Sequence, residues 1–155
     1  MKPSANPVHA PIVDWVPLRQ GVSFRPLRFA SDGYSLQLRV EPGTTISRHR
    51  HTGEVHAYNI RGYREIIETS EIVGPGTYAY EPPGNLDSWR CVGDAACVVQ
   101  INLKGRVEYL DENGTVVGFS DTHTARETYL NWCKDKGRPP MQAIMAAACR
   151  DASCP

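Results

Sequence analysis

The chain lacks an excess of charge of either sign: 17 lysine and arginine residues are matched by 17 aspartate and glutamate residues among 155. A balanced charge gives no electrostatic reason to expect nucleic acid or an anionic membrane as a partner. The sequence also has no apolar run that approaches the roughly 18 residues of a membrane-spanning helix. We therefore expect a small-molecule substrate, with no nucleic acid and no membrane as partner.

Cysteine is scarce and carries no recognisable pattern. The five cysteines form no C-x-x-C pair, which does not favour a zinc cluster built from them. Residues 1–17 contain prolines at positions 3, 7, 11 and 17 and no apolar h-region, so we expect no secretory signal. An odd cysteine count without such a signal predicts reduced thiols in a cytoplasmic protein.

Short alternating segments dominate the chain. Residues 34–41 alternate apolar and polar side chains, which is typical of a half-buried strand. The turn residues Ser31-Asp32-Gly33 precede that segment and predict a hairpin with residues 22–29. Glycine and proline separate the other predicted strands, which cover 46–51, 55–61, 63–68, 78–81, 87–92, 96–103, 106–110 and 115–119. This pattern predicts an all-β sandwich or barrel.

The C-terminal part of the sequence has helical spacing instead. Thr124 and Glu127 have the spacing of a capping box, and Gly137 suits the position just after a helix. A second short helix is predicted over 141–150. The predicted organisation is an N-terminal arm over 1–21, a β-barrel domain over 22–120, and a C-terminal helix and tail over 121–155.

Two histidines, His49 and His51, lie on one predicted strand. Residues two apart on a strand point to the same side, so both imidazoles can reach one point in space. Asp87 could supply a third ligand from a neighbouring strand. Two histidines and one carboxylate form the facial arrangement that binds non-haem Fe(II) and leaves positions open for oxygen and substrate.

A glycine frame surrounds these candidate ligands. The first segment is a glycine, five residues, a histidine, one residue, a histidine, and a glycine eleven positions on. The second is a glycine, five residues, a proline, one residue, a glycine, two residues and an aspartate. The residues concerned are Gly43, His49, His51, Gly62, Gly76, Pro82, Gly84 and Asp87.

This paired spacing resembles the two motifs of the cupin superfamily over about residues 22–110. The resemblance implies a double-stranded β-helix, which is a jelly-roll barrel of two antiparallel sheets, here followed by a short helical C-terminal appendage. Residues 48–62 and 80–84 also resemble the 2,4′-dihydroxyacetophenone dioxygenase branch. That branch implies cleavage of a carbon–carbon bond of an aryl hydroxyketone by non-haem iron and O₂, with His49 and His51 as iron ligands.

The sequence departs from the family pattern at the third metal ligand. The third histidine of the family falls on Asp87, which either keeps the metal or marks a site that has lost catalysis. His56 is an alternative third ligand or a base, and it can equally be a histidine in the wall of the pocket. Together with His49 and His51, these residues would also suit Zn or Ni.

Further side chains are candidates for the reaction itself. Glu68 has the strand parity of Arg64 and Ile66 and could act as a base, unless it is an exposed charge at a strand end. Aromatic side chains could line a substrate pocket or belong to the core, and an arginine could bind an anionic substrate. The candidate substrate-binding residues are Tyr58, Tyr78, Tyr80, Trp89 and Arg61.

The leading hypothesis is therefore an enzyme: an Fe(II)-dependent cupin dioxygenase that cleaves a carbon–carbon bond of a small oxygenated ketone, aromatic ketones included. One alternative is a cupin isomerase, cyclase, lyase or decarboxylase without redox chemistry. The other is a non-catalytic cupin that binds a small molecule. Because small cupins often pair through sheet edges, we also expect a homodimer.

Overall fold

The computed structural model describes residues 5–145, and in this range two antiparallel six-stranded sheets face each other. The first sheet has the strand order β1-β2-β3-β10-β5-β8, and the second has the order β12-β11-β4-β9-β6-β7. Neighbours that are distant in sequence show that the chain passes repeatedly between the sheets. The all-β jelly-roll barrel with a helical C-terminal appendage, predicted from the sequence, is confirmed.

The strands are short and are separated by glycine or proline turns at most of the predicted places. Their bounds are β1 Val16–Arg19, β2 Val22–Ala30, β3 Gly33–Val40, β4 Thr45–His51, β5 Val55–Arg61, β6 Tyr63–Ile66, β7 Glu71–Val73, β8 Tyr78–Glu81, β9 Leu86–Val92, β10 Cys97–Lys104, β11 Val107–Leu110 and β12 Val116–Ser120. A 3-10 turn, Ala10–Ile12, precedes them, and the helices α1 Thr122–Asp135 and α2 Gln142–Met145 follow.

The core lies between the two sheets because alternate residues of each strand point inward. The first sheet contributes the buried side chains of Phe24 in β2, Leu36 in β3 and Val99 in β10. The second sheet contributes the buried side chain of Trp89 in β9. The predicted hairpin is present, since β2 and β3 pair in antiparallel register from Val22↔Val40 to Ala30↔Gly33.

Two strands were not predicted. Residues 16–19, assigned to the N-terminal arm, form β1 and pair with β2. β7 has only three residues and completes the second sheet beside β6. Short edge strands carry too few alternating residues for the pattern to identify them.

Helix α1 begins two residues before the predicted cap. Asp121 is the N-cap residue, its carboxylate accepts a hydrogen bond from the Thr124 amide at 2.8 Å, and the Thr124 hydroxyl accepts one from the Asp121 amide at 2.9 Å. The predicted capping box of Thr124 and Glu127 is therefore wrong, because Thr124 is the third helical residue. The predicted second helix is present as α2, and its residues beyond 145 lie outside the described range.

Helix α1 packs on one opening of the barrel. Ala125, Tyr129 and Cys133 are its buried residues, and the ring of Tyr129 lies 6.1 Å from that of Phe29. Within the described range, neither helix has the length and apolar character needed to cross a membrane.

Candidate functional site

His49 and His51 both point into the barrel from β4. Each is more than nine-tenths buried, and their ring centroids lie 5.0 Å apart with the planes nearly perpendicular. The register between β4 and β9 shifts between Ile46 and His49. This irregularity lets Ile46 and His49, three residues apart, both face the core, after which His51 follows with ordinary alternation.

Two carboxylates face the two imidazoles. Asp87 of β9 pairs directly with His49 in the sheet register, and its Oδ1 lies 3.3 Å from His49 Nε2. Glu81 ends β8 in the opposite sheet, and its Oε2 lies 3.4 Å from His51 Nε2. The four groups therefore form one cluster that spans both sheets. We refer to His49, His51, Glu81 and Asp87 as the donor cluster.

The turn between β8 and β9 holds the two carboxylates beside β4. The Gly84 amide donates to the carbonyl of His51 at 2.7 Å, and the His51 amide donates to the carbonyl of Asn85 at 3.0 Å. The side chain of Asn85 also donates to Asp87 Oδ2 at 3.4 Å. The Pro-Pro-Gly sequence of the second motif thus fixes the distance between both carboxylates and the histidine strand.

Burial shifts the pKa of two groups of the cluster, His51 and Glu81. His49 Nδ1 donates to the Ser47 carbonyl at 2.8 Å, which leaves Nε2 unprotonated and directed at Asp87 in the neutral ring. Burial, together with the neighbouring His49, lowers the pKa of His51 to about 4. Burial and the adjacent Asp87 raise the pKa of Glu81 to about 8. At neutral pH, His51 is neutral and Glu81 retains its proton.

The donor cluster has the chemistry of a metal site. Within residues 5–145 no three His, Cys, Asp or Glu side chains converge as they do around a bound ion, and in the donor cluster each imidazole contacts a carboxylate. However, Asp87 Oδ1 and His51 Nδ1 are buried without a hydrogen-bond partner. Unpartnered buried polar atoms are costly, and a metal would satisfy the carboxylate oxygen. The residues present fit a divalent transition metal.

A cavity of about 250 Å³ opens from the donor cluster into the barrel. His49, His51, Glu81 and Arg64 line its polar end. The rest of the wall is mainly apolar and includes Phe24, Leu36, Leu38, Trp89, Val99 and Ile101, while Thr124, Ala125 and Thr128 of α1 line part of it. The cavity therefore suits a small molecule with one polar end and an apolar body.

The structure places four of the predicted site residues on the outer face of the first sheet. Val55, Ala57 and Asn59 take the inward positions of β5, so His56 and Tyr58 face away from the cavity. Tyr78 and Tyr80 of β8 pair with them and are more than half exposed. His56 Nδ1 bonds to the Tyr78 hydroxyl at 2.5 Å on this surface. Of the predicted aromatic pocket residues, only Trp89 lines the cavity.

Glu68 and Arg61 also lie away from the donor cluster. β6 ends at Ile66, so Glu68 lies outside the strand and the strand alternation that predicted an inward side chain does not apply to it. Its carboxylate accepts hydrogen bonds from the amide and hydroxyl of Ser88, at 3.0 and 2.7 Å, and is exposed. Arg61 is an exposed residue at the end of β5. Neither side chain lines the cavity, so we assign them no role in the site.

Sequence reasoning missed two residues of the cavity, Glu81 and Arg64. A signal in the sequence existed for Glu81, whereas Arg64 is revealed by its burial. Glu81 shares strand parity with Ala79 and not with Tyr78 and Tyr80, so it points inward once the tyrosines point outward. Arg64 alternates with the exposed Tyr63 and is 4% exposed, which is unusual for a charged residue.

Comparisons with known proteins agree with this architecture. Residues 5–105 match the family of ChrR cupin-like domains. A cupin-like protein from Ralstonia eutropha JMP134 is 23% identical with a TM-score of 0.80, over 88% of this chain and 90% of its own. A second cupin from the same organism is 22% identical with a TM-score of 0.79, over 84% and 88%.

A third solved structure shares the fold. An acetylacetone dioxygenase from Acinetobacter johnsonii is 17% identical with a TM-score of 0.72, over 84% of this chain and 96% of its own. Nothing among the curated proteins matches the chain. At these identities, the solved structures establish the fold alone.

Proposed function

Because this chain belongs to the family of ChrR cupin-like domains, we propose that it is a metal-dependent cupin enzyme, a non-haem Fe(II) dioxygenase. Its reaction would cleave a carbon–carbon bond of a small oxygenated ketone. The observation that carries the proposal is the buried donor cluster at the polar end of an otherwise apolar cavity. The similarity to an acetylacetone dioxygenase supports a ketone as the substrate.

His49, His51 and Asp87 would hold the metal. The hydrogen bond from His49 Nδ1 to the Ser47 carbonyl orients the ring and selects Nε2 as the ligand atom. A carboxylate as the third ligand gives the two-histidine, one-carboxylate set of many non-haem iron oxygenases. When bound, Fe(II) would supply Lewis acidity toward the substrate oxygens and the electrons for O₂ reduction.

Glu81 replaces Glu68 and His56 as the proposed proton acceptor. It lines the cavity from the sheet opposite the histidine strand, so its Oε2 is available to a substrate placed between the sheets. A metal cation held beside it would lower the raised pKa of Glu81, so that its ionised carboxylate would take the acidic proton from the carbon next to the ketone and keep it on an oxygen shielded from water. The apolar wall would exclude bulk water from the same space.

Oxygen consumption tests the proposal directly. Protein purified without a polyhistidine tag would be reconstituted with Fe(II) without oxygen, then mixed with β-diketones and aryl hydroxyketones under O₂. We expect stoichiometric O₂ uptake, with cleavage products detected by mass spectrometry. His49→Ala should abolish uptake, whereas His56→Ala, which changes a histidine on the outer face, should retain it. Turnover that is unaffected by the absence of oxygen would contradict the proposal.

A second candidate is a cupin enzyme without redox chemistry, such as an isomerase, cyclase, lyase or decarboxylase. The observation that favours it is the pair of carboxylates, Glu81 and Asp87, facing the two histidines, since nitrogen and oxygen ligands also suit Zn. Replacing Fe(II) by Zn distinguishes the two, because a redox-inactive metal should abolish dioxygenase activity and leave non-redox turnover intact. Ligand binding without turnover under either metal would indicate a non-catalytic binding protein.

A further inference from the structure

Arg64 is a buried cation with no hydrogen-bond or ion-pair partner among residues 5–145. It is 4% exposed, lines the polar end of the cavity, and its Nε makes no hydrogen bond. None of the ion pairs formed among residues 5–145 includes it. Burying a charge in this way is costly unless another group satisfies it. The missing partner is therefore a group that enters the cavity.

The packing around Arg64 holds the side chain in place without a hydrogen bond to its Nε. Its guanidinium carbon lies 5.2 Å from the ring centroid of Trp89, which packs beneath it. Arg64 pairs with Cys91 on β9 and with Val73 on β7, so strands flank it on both sides. A guanidinium that is fixed in one plane presents parallel N–H donors, which match the two oxygens of a carboxylate.

The charge balance of a loaded site also leaves Arg64 unmatched. A divalent metal held by His49, His51 and Asp87 would add further positive charge at the donor cluster. The single positive charge of Arg64 then remains at the same end of the cavity. A negatively charged substrate would offset this positive charge in a region that is otherwise enclosed by apolar side chains.

We propose that Arg64 binds the carboxylate of the substrate, and that the substrate class is small keto acids with an apolar tail. This inference rests on the proposed function, which puts the substrate in the cavity beside the donor cluster. It narrows the substrate class from ketones to keto acids. The keto group would lie at the donor cluster and the tail along the apolar wall, in a space of about 250 Å³. A neutral ketone would leave the guanidinium unsatisfied.

Two probes of nearly equal shape isolate the carboxylate. 3-Oxohexanoate and 2,4-heptanedione differ in having a carboxylate oxygen or a methyl group at one end. Their affinities would be measured by isothermal titration calorimetry on the Zn-loaded and on the metal-free full-length protein. We expect the wild type to bind the acid more tightly than the diketone.

The variants Arg64→Met, Arg64→Lys and Arg90→Met complete the design. Arg90 is a matched control, since it lies on the neighbouring β9, is exposed and pairs with Glu65. Losing a charge-assisted contact should weaken binding of the acid by about 10- to 100-fold in Arg64→Met. Binding of the diketone should change by less than about threefold by the same reasoning, and Arg90→Met should change neither affinity.

Arg64→Lys provides a second test in case Arg64→Met does not fold. It keeps the positive charge and loses the planar pair of donors. It should show an intermediate loss for the acid alone. Equal losses for both probes, or wild-type preference for the diketone, would overturn the proposal. A protein that binds no metal or consumes no O₂ would refute the proposed function only, because the affinity comparison is made with and without metal.

Discussion

Replacing Gly62 by alanine should destabilise the protein more than the same change at Gly43, although both are glycines of the first motif. Both have a positive φ, 70° at Gly62 and 80° at Gly43. A Cβ at Gly62 would lie 2.4 Å from the Ala96 carbonyl oxygen and 2.8 Å from Cys97 Cα. A Cβ at Gly43 would meet nothing within 4 Å.

The magnitudes follow from separating the two costs. The left-handed conformation costs a non-glycine residue about 1–2 kcal/mol, and this cost applies at both positions. At Gly62 the backbone of β10 must also move, and forcing atoms into a packed region adds about 1–3 kcal/mol. We therefore expect a loss of about 1–2 kcal/mol for Gly43→Ala and of about 2–5 kcal/mol for Gly62→Ala.

Equilibrium unfolding in urea, followed by far-UV circular dichroism, measures both free energies. The difference between the variants is the relevant quantity, because effects on the unfolded state are shared by the two substitutions. Losses that agree within about 0.5 kcal/mol would refute the steric argument and would leave backbone conformation as the reason for both glycines.

Three further predictions concern the core, the helix cap and a buried thiol. Asn59→Ala removes an amide that is fully buried and donates to the Gly62 carbonyl at 2.8 Å, so it should cost about 1–3 kcal/mol in urea unfolding; a smaller loss would mean that the carbonyl finds water. Asp121→Ala should cost about 1 kcal/mol and Glu127→Ala almost nothing, and the reverse order would restore the cap predicted from sequence. Burial raises the pKa of Cys97 to about 11, so native protein at pH 8 should resist alkylation at Cys97 until it is unfolded, as mass spectrometry of the labelled peptide would show.

The barrel could be predicted from sequence because apolar and polar residues alternate along its strands and glycine or proline occupies its turns. The hairpin of β2 and β3 is the clearest case, since one face of each strand is apolar and a turn lies between them. β1 and β7 have four and three residues, which is too short for alternation to separate strand from loop. These two elements are strands because they pair with a neighbouring strand. Such pairing depends on residues far apart in the sequence, so a local pattern does not show it.

The cavity was harder to predict than the barrel. Alternation divides the side chains of a strand into two faces, but it does not show which face points into the barrel. On β8 the large aromatic side chains suggested a pocket, yet Tyr78 and Tyr80 face outward and the smaller Ala79 faces the interior with Glu81. On β4 a register irregularity precedes His49, so parity counted from Ile46 would direct that side chain to solvent. Parity within the His49 and His51 pair nevertheless holds, since both are buried.

Metal content by elemental analysis tests the central claim most directly. Protein without a polyhistidine tag would be reconstituted with Fe(II) and freed of loose metal, for the wild type, Asp87→Ala and His56→Ala. The account predicts close to one iron per chain in the wild type and in His56→Ala, and a large loss in Asp87→Ala. Wild-type protein that retains no metal, or Asp87→Ala protein that retains it all, would contradict the two-histidine, one-carboxylate centre.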